Sequence, residues 1–67
     1  MEEDWKCIYR SAKVFEIEVI KGMLEENGIT SVIVNKQDSS YLFGEAELYV
    51  ETEYVLQAKH LISKMTL

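Results

Sequence analysis

The stretch SAKVFEIEVIKGMLEENG, residues 11–28, lies between two short aromatic or β-branched runs, and that placement restricts the fold more than any other feature of the chain. At about 100° per residue, Ala12, Phe15, Val19, Ile20, Met23 and Leu24 fall on one broad side, with Lys13 and Glu18 at its margin or beyond. The pattern predicts an amphipathic helix. Asn27-Gly28 closes it, because glycine supplies the left-handed backbone of a C-terminal cap. Before it, WKCIY (residues 5–9) reads as a strand; after it, TSVIVN (residues 30–35) reads as a second. Strand, helix and strand imply a right-handed crossover with the helix on one face of a sheet.

A third strand follows at EAELYV, residues 45–50, where Ala46, Leu48 and Val50 alternate with polar neighbours. Thr52 is a suitable N-cap, and Tyr54, Val55, Ala58, Leu61, Ile62 and Met65 form the stripe of a closing helix. The order is β-α-β-β-α, and the last helix covers the rest of the same face in a two-layer α+β sandwich. Charge selects the strand order. With the third strand antiparallel to the first, Lys6 and Arg10 face Glu45 and Glu47 on the open side, each pair worth roughly 0.2–1 kcal/mol at most. The same register turns Trp5, Cys7 and Tyr9 toward the helices. This predicts an antiparallel three-stranded sheet of order 1-3-2, the split βαβ core of a ferredoxin-like sandwich, with both helices on one face. Residues 1–67 form one domain, residues 1–4 being read as a flexible acidic tail. Met65-Thr66-Leu67 is too short for a fourth strand, so the first strand keeps a free edge. Homodimerisation through that edge is expected.

A chain of 67 residues buries only about 60% of the surface exposed by its unfolded form. Cys7 is the sole cysteine, so no internal disulfide supports this small core, and the cysteine usage fits a reducing compartment. The acidic start MEEDWK lacks the plan of a signal peptide, and no apolar run approaches the ~18–20 residues of a membrane span. A soluble, cytoplasmic protein is expected. Twelve acidic against seven basic side chains give a net charge of −5, which opposes sequence-independent binding to phosphate backbones. Neither nucleic acid nor membrane is expected as a partner.

The segment NKQDSSYLFG, residues 35–44, is longer than a hairpin needs and is the candidate for recognition. Asn35, Gln37, Asp38, Ser39 and Ser40 offer hydrogen bonds, and Tyr41 and Phe43 offer apolar anchors of the kind favoured at binding hot spots. Catalysis is not expected. A nucleophilic serine needs a positioned base, and the single histidine, His60, falls on the polar side of the closing helix. Asp38-Ser39-Ser40 reads more simply as turn chemistry. There is no CxxC, HxxxH, calcium-loop or glycine-rich phosphate motif, so no cofactor or metal is expected. Glu16 is unusual, since it falls within the apolar side of the first helix. With Lys13 as N-cap, its carboxylate reaches the third helical position and bonds back to the N-cap amide. The alternative is a pocket carboxylate beneath the 35–44 segment. Leu56 points away from the stripe of its helix, as isolated surface leucines often do.

IYRSA, FEIEVIKGMLEENGI and VNKQDSSYLFGEAELYV together resemble a small bacterial domain family of unknown function labelled putative prokaryotic signal-transducing protein. The resemblance spans roughly residues 7–63. Its most specific parts are Phe15-Glu16, Glu18, Asn27-Gly28-Ile29, and the Asn35, Gln37, Asp38, Gly44, Glu47 and Leu48 positions. The family commonly carries Asn-Pro before the helical Phe-Glu. Lys13-Val14 stands here instead, which makes Ser11 a competing N-cap. The resemblance implies a ferredoxin-like fold and a regulatory or signal-transducing binding module, and it carries over no catalytic residue. A structural homo-oligomerisation domain and a small-ligand sensor are the alternatives, and a protein partner or a second copy of the chain is the expected company.

Overall fold

The computed structural model describes residues 4–36 and 44–65. Of the expected tail at residues 1–4, residues 1–3 lie outside these and Asp4 within them, and Gln37, Asp38, Ser39, Ser40, Tyr41 and Phe43 also lie outside. Five elements follow in the order β1 (Trp5–Ser11), α1 (Val14–Glu26), β2 (Ser31–Asn35), β3 (Ala46–Glu51) and α2 (Val55–Ser63). The strands form one antiparallel sheet of order β1-β3-β2. Both helices pack on one face, making the expected two-layer α+β sandwich. The core consists of Ile17, Ile20 and Leu24 from α1, Ile29 behind it, Ala46, Leu48 and Val50 from β3, and Ala58 from α2. β3 occupies the centre because its Ala46-Leu48-Val50 alternation offers three fully buried side chains to the helices.

Helix α1 ends as Asn27-Gly28 predicts. Gly28 has φ +79°, its N–H donates to the Glu25 carbonyl at 3.0 Å, and the Ile29 N–H donates to the Leu24 carbonyl at 2.9 Å. This pair of bonds is the Schellman arrangement, completed by the packing of Ile29 beside Leu24 in the core.

Four expectations are corrected. Of the proposed α1 stripe only Ile20 and Leu24 are buried, with Met23 packed beside them; Ile17 is fully buried, whereas Ala12, Phe15 and Val19 are exposed. The helix carries apolar side chains around more than half its circumference, and a single sheet face covers one side. The branched set Ile17-Ile20-Leu24, at i, i+3 and i+7, takes that side. Secondly, β1 does not alternate regularly. The pairs Cys7↔Tyr49 and Tyr9↔Leu48 leave Ile8 as an extra residue, a β-bulge. Residues directly opposite share a face, so Trp5 (opposite Glu51) and Cys7 (opposite Tyr49) lie on the open face rather than toward the helices. Tyr9 does face the helices, and Ile8 joins it against the core. Thirdly, Lys6 stands opposite Val50, while Arg10 stands opposite Glu47 as expected. Lastly, α2 is preceded by a 3-10 turn at Thr52–Tyr54, so Thr52 starts that turn rather than capping the helix. Its N–H donates to the Asp4 carbonyl at 2.6 Å.

Candidate functional site

The helix-free face of the sheet carries the densest group of interacting polar side chains. By register, β1 contributes Trp5, Cys7 and Arg10 to it, β3 contributes Glu47, Tyr49 and Glu51, and β2 contributes Val32 and Val34. Glu47 is at the centre. Although it sits on the uncovered face, only 8% of it is exposed, because its neighbours fold over it. The Tyr49 hydroxyl donates to Glu47 Oε1 at 2.8 Å. Lys36 Nζ lies 3.3 Å from the same oxygen, and Arg10 Nη2 lies 3.7 Å from Oε2.

Each position follows from the local chain. Glu47 and Tyr49 are two apart on one strand and therefore point the same way. Arg10 faces Glu47 directly across the β1–β3 ladder. Lys36 follows the last residue of β2, and its N–H donates to the Glu45 carbonyl at 3.3 Å, which brings its side chain alongside the carboxylate.

The electrostatics agree with the geometry. The Tyr49 hydrogen bond, followed by Lys36 and Arg10, holds the Glu47 carboxyl below its ordinary value against the opposing effect of desolvation. The same bond, with desolvation, pushes the Tyr49 phenol up. The Arg10 guanidinium is raised by Cys7 first and then by Glu47. Register places Cys7 and Arg10 on the same open face, Cys7 opposite Tyr49 and Arg10 opposite Glu47. The Cys7 thiol donates to the Tyr9 carbonyl at 3.5 Å.

The arrangement is suited to recognition. A carboxylate already satisfied by one phenol and two cations is a fixed charge that organises its neighbours. Arg10 and Lys36 keep most of their surface free, and Trp5, Val32, Val34 and Tyr49 supply apolar contact beside them. At the other end of β3, Asp4, Glu51, Thr52 and Glu53 line an open hollow of about 410 Å³.

Two of the expected site residues, Asn35 and Glu16, lie within the described residues. Asn35 closes β2, exposed and opposite Ala46. Gln37, Asp38, Ser39, Ser40, Tyr41 and Phe43 lie outside the described residues. Glu16 does occupy the third position of α1, yet its carboxylate does not reach the N-cap amide. Glu16 Oε1 accepts from Ser11 Oγ at 3.0 Å, and Ser11 Oγ accepts from the Lys13 N–H at 3.0 Å. The half of a capping box that joins the third-position carboxylate to the N-cap amide is thus relayed through the Ser11 hydroxyl. His60 is exposed on α2, on the opposite side of the sheet from Glu47. Among the described residues no group of three or more His, Cys, Asp or Glu side chains is placed to hold a metal ion. Among the described residues no helix is long and apolar enough to cross a membrane.

Sequence reasoning found the Arg10–Glu47 pair but not the cluster built on it. Two signals were available: a carboxylate and a phenol two residues apart on a central strand, and a cation on one neighbouring strand with a second just past the end of the other.

With this geometry established, residues 5–66 match the model of the family described as putative prokaryotic signal transducing protein. No curated protein and no solved structure matches the chain. The chain belongs to that family.

Proposed function

We propose that this member of a family labelled for signal transduction is a non-enzymatic regulatory binding module of the cytoplasm, and that its recognition surface joins the 35–44 segment to the helix-free face of the sheet. The observation that supports this most is the Glu47 cluster: a buried charge held in place by Tyr49, Lys36 and Arg10, surrounded by half-buried aromatic and branched side chains. Lys36 belongs to both parts of the surface, since it holds Glu47 and is the second residue of the segment that carries Gln37, Asp38, Ser39, Ser40, Tyr41 and Phe43. The partner is a protein, with the polar half of the segment reading hydrogen bonds and Tyr41 and Phe43 anchoring apolar contact. Tyr41→Ala and Phe43→Ala then abolish capture of the partner and leave the thermal melt almost unchanged. A melt lowered by many degrees would assign both side chains to the core instead.

Self-association through the outer edge of β1 is the second reading. β1 pairs only with β3 among the described residues, which favours it, whereas the bulge at Ile8 interrupts the even spacing that strand addition uses. A small-ligand sensor is separated from both by a melting-temperature screen of the full chain against nucleotides, metal ions and metabolites. A ligand at 100 times its Kd stabilises the native state by about 2.7 kcal/mol. A hit in that screen replaces the protein-binding reading with the sensor; a blank screen supports the protein partner.

A further inference from the structure

We infer that the outer face of the helical layer is a self-complementary surface on which two copies of this chain pair, α1 of each against α2 of the other. The inference uses the side of the molecule opposite the Glu47 cluster and stands independently of the recognition reading.

Three of the four large apolar side chains exposed among the described residues lie there. On α1, Phe15 is 64% and Val19 50% exposed, and on α2 Leu56 is 84% exposed. Each is on the side of its helix turned away from the sheet, because the buried sets Ile17-Ile20-Leu24 and Ala58 define the opposite sides. Gly22 continues the α1 stripe one turn beyond Val19, and a Cβ placed on it would meet no atom within 4 Å. The stripe therefore presents two knobs followed by a bare stretch of backbone that a partner's side chain can approach closely.

Charge specifies the occupant. The exposed charged residues of α1 are Glu18, Glu25 and Glu26; its one lysine, Lys21, is half-buried and paired with Glu25. No basic residue occupies the last turn of α1, so Glu25 and Glu26 sit at the negative end of their own helix dipole. Helix α2 is the reverse. Its exposed ionisable residues are Lys59 and His60, followed by Lys64, and no acidic residue lies within Val55–Ser63. One face thus carries an acidic helix and a basic helix, each with an exposed apolar side chain. A two-fold axis between them sets acidic on basic twice, with Phe15 and Val19 against the partner's Leu56, so that like charges are kept apart. Within a single copy Glu25 is paired with Lys21, and no ion pair among the described residues joins α1 to α2. The resulting dimer has four layers, sheet-helix-helix-sheet, and leaves both Glu47 faces outward.

Sedimentation of the full chain between about 1 µM and 1 mM tests this. The wild type is expected to shift reversibly toward twice its monomer mass, and the shift weakens in high salt. Val19→Asp and Leu56→Asp each abolish it. Reversing α1 (Glu18→Lys with Glu26→Lys) or α2 (Lys59→Glu with Lys64→Glu) raises the dissociation constant at least about tenfold, while an equimolar mixture of the two reversed variants restores dimers. Circular-dichroism melts establish that each variant folds. A wild type that stays monomeric across the range overturns the proposal. A dimer indifferent to all four changes also overturns it and assigns association to the edge of β1. A dimer strengthened by reversing α1 alone overturns the α1–α2 pairing in favour of α1 on α1.

Discussion

Glu47 shows how one side chain gives an open surface a fixed geometry. Its carboxyl is held below the ordinary value of 4.5, chiefly by the Tyr49 hydroxyl. A depressed carboxylate contributes stability that is complete above its unfolded value and is lost as pH falls through the lower folded one. The melting temperature should therefore decline below about pH 4.5, with a smaller decline in Glu47→Gln. Removing the phenol in Tyr49→Phe should move the Glu47 titration upward, which NMR of the Glu47 carboxyl carbon reads directly. Ser31 is the opposite case: its hydroxyl is buried without a hydrogen-bond partner among the described residues. Ser31→Ala removes a desolvated polar group from the core side of β2 and should stabilise the fold by about 1 kcal/mol in denaturant titration. Gly28→Ala forces a Cβ into the left-handed region and should cost about 1–2 kcal/mol. That glycine was legible in the sequence because its requirement is local. The orphan hydroxyl was not, because whether Ser31 has a partner depends on what α1 places above it.

At the scale of the elements, legibility followed the same division. Strand order was readable because Arg10 and Glu47 carry opposite charge at positions that only the 1-3-2 order brings together. The buried side of α1 was not readable. Phe15 and Val19 are as apolar as Ile17 and Ile20, and the crossover geometry alone decides which set meets the sheet. Leu24→Ala should cost about 2–5 kcal/mol and leave little of the fold at ambient temperature, whereas Phe15→Ala should change stability by no more than about 0.5 kcal/mol. Thermal melts of the two variants measure the contrast. The elements also differ in how firmly they are held. β3 is paired on both sides and buries Ala46, Glu47, Leu48 and Val50, whereas α2 buries only Ala58 completely. Amide exchange should be slowest in β3 and substantially faster in α2.

The whole molecule is a thin plate, 35 × 29 × 15 Å across its described residues, with two faces of unlike character. One is sheet, organised around a neutralised carboxylate; the other is helix, divided into an acidic and a basic half. Composition gave only the net charge of −5. Its division between helices was present in the letters, but its meaning required knowing that α1 and α2 lie side by side. The candidate recognition segment was legible as chemistry, and its attachment beside Glu47 emerged only once Lys36 was placed.

The bulge in β1 gives the N-terminal strand one more residue than its partner needs. Ile8 is counted on one side of the ladder and has no counterpart on the other. Deleting it would leave Cys7 opposite Tyr49 and Tyr9 opposite Leu48, with both faces keeping their present occupants, while the loss would fall on Ile8's own packing against the core. Deleting Lys6 instead would shift Trp5 by one place and turn its indole to the opposite face. Two neighbouring single-codon deletions in the same strand would thus have unequal consequences, the first a loss of packing and the second a change in what the open face displays.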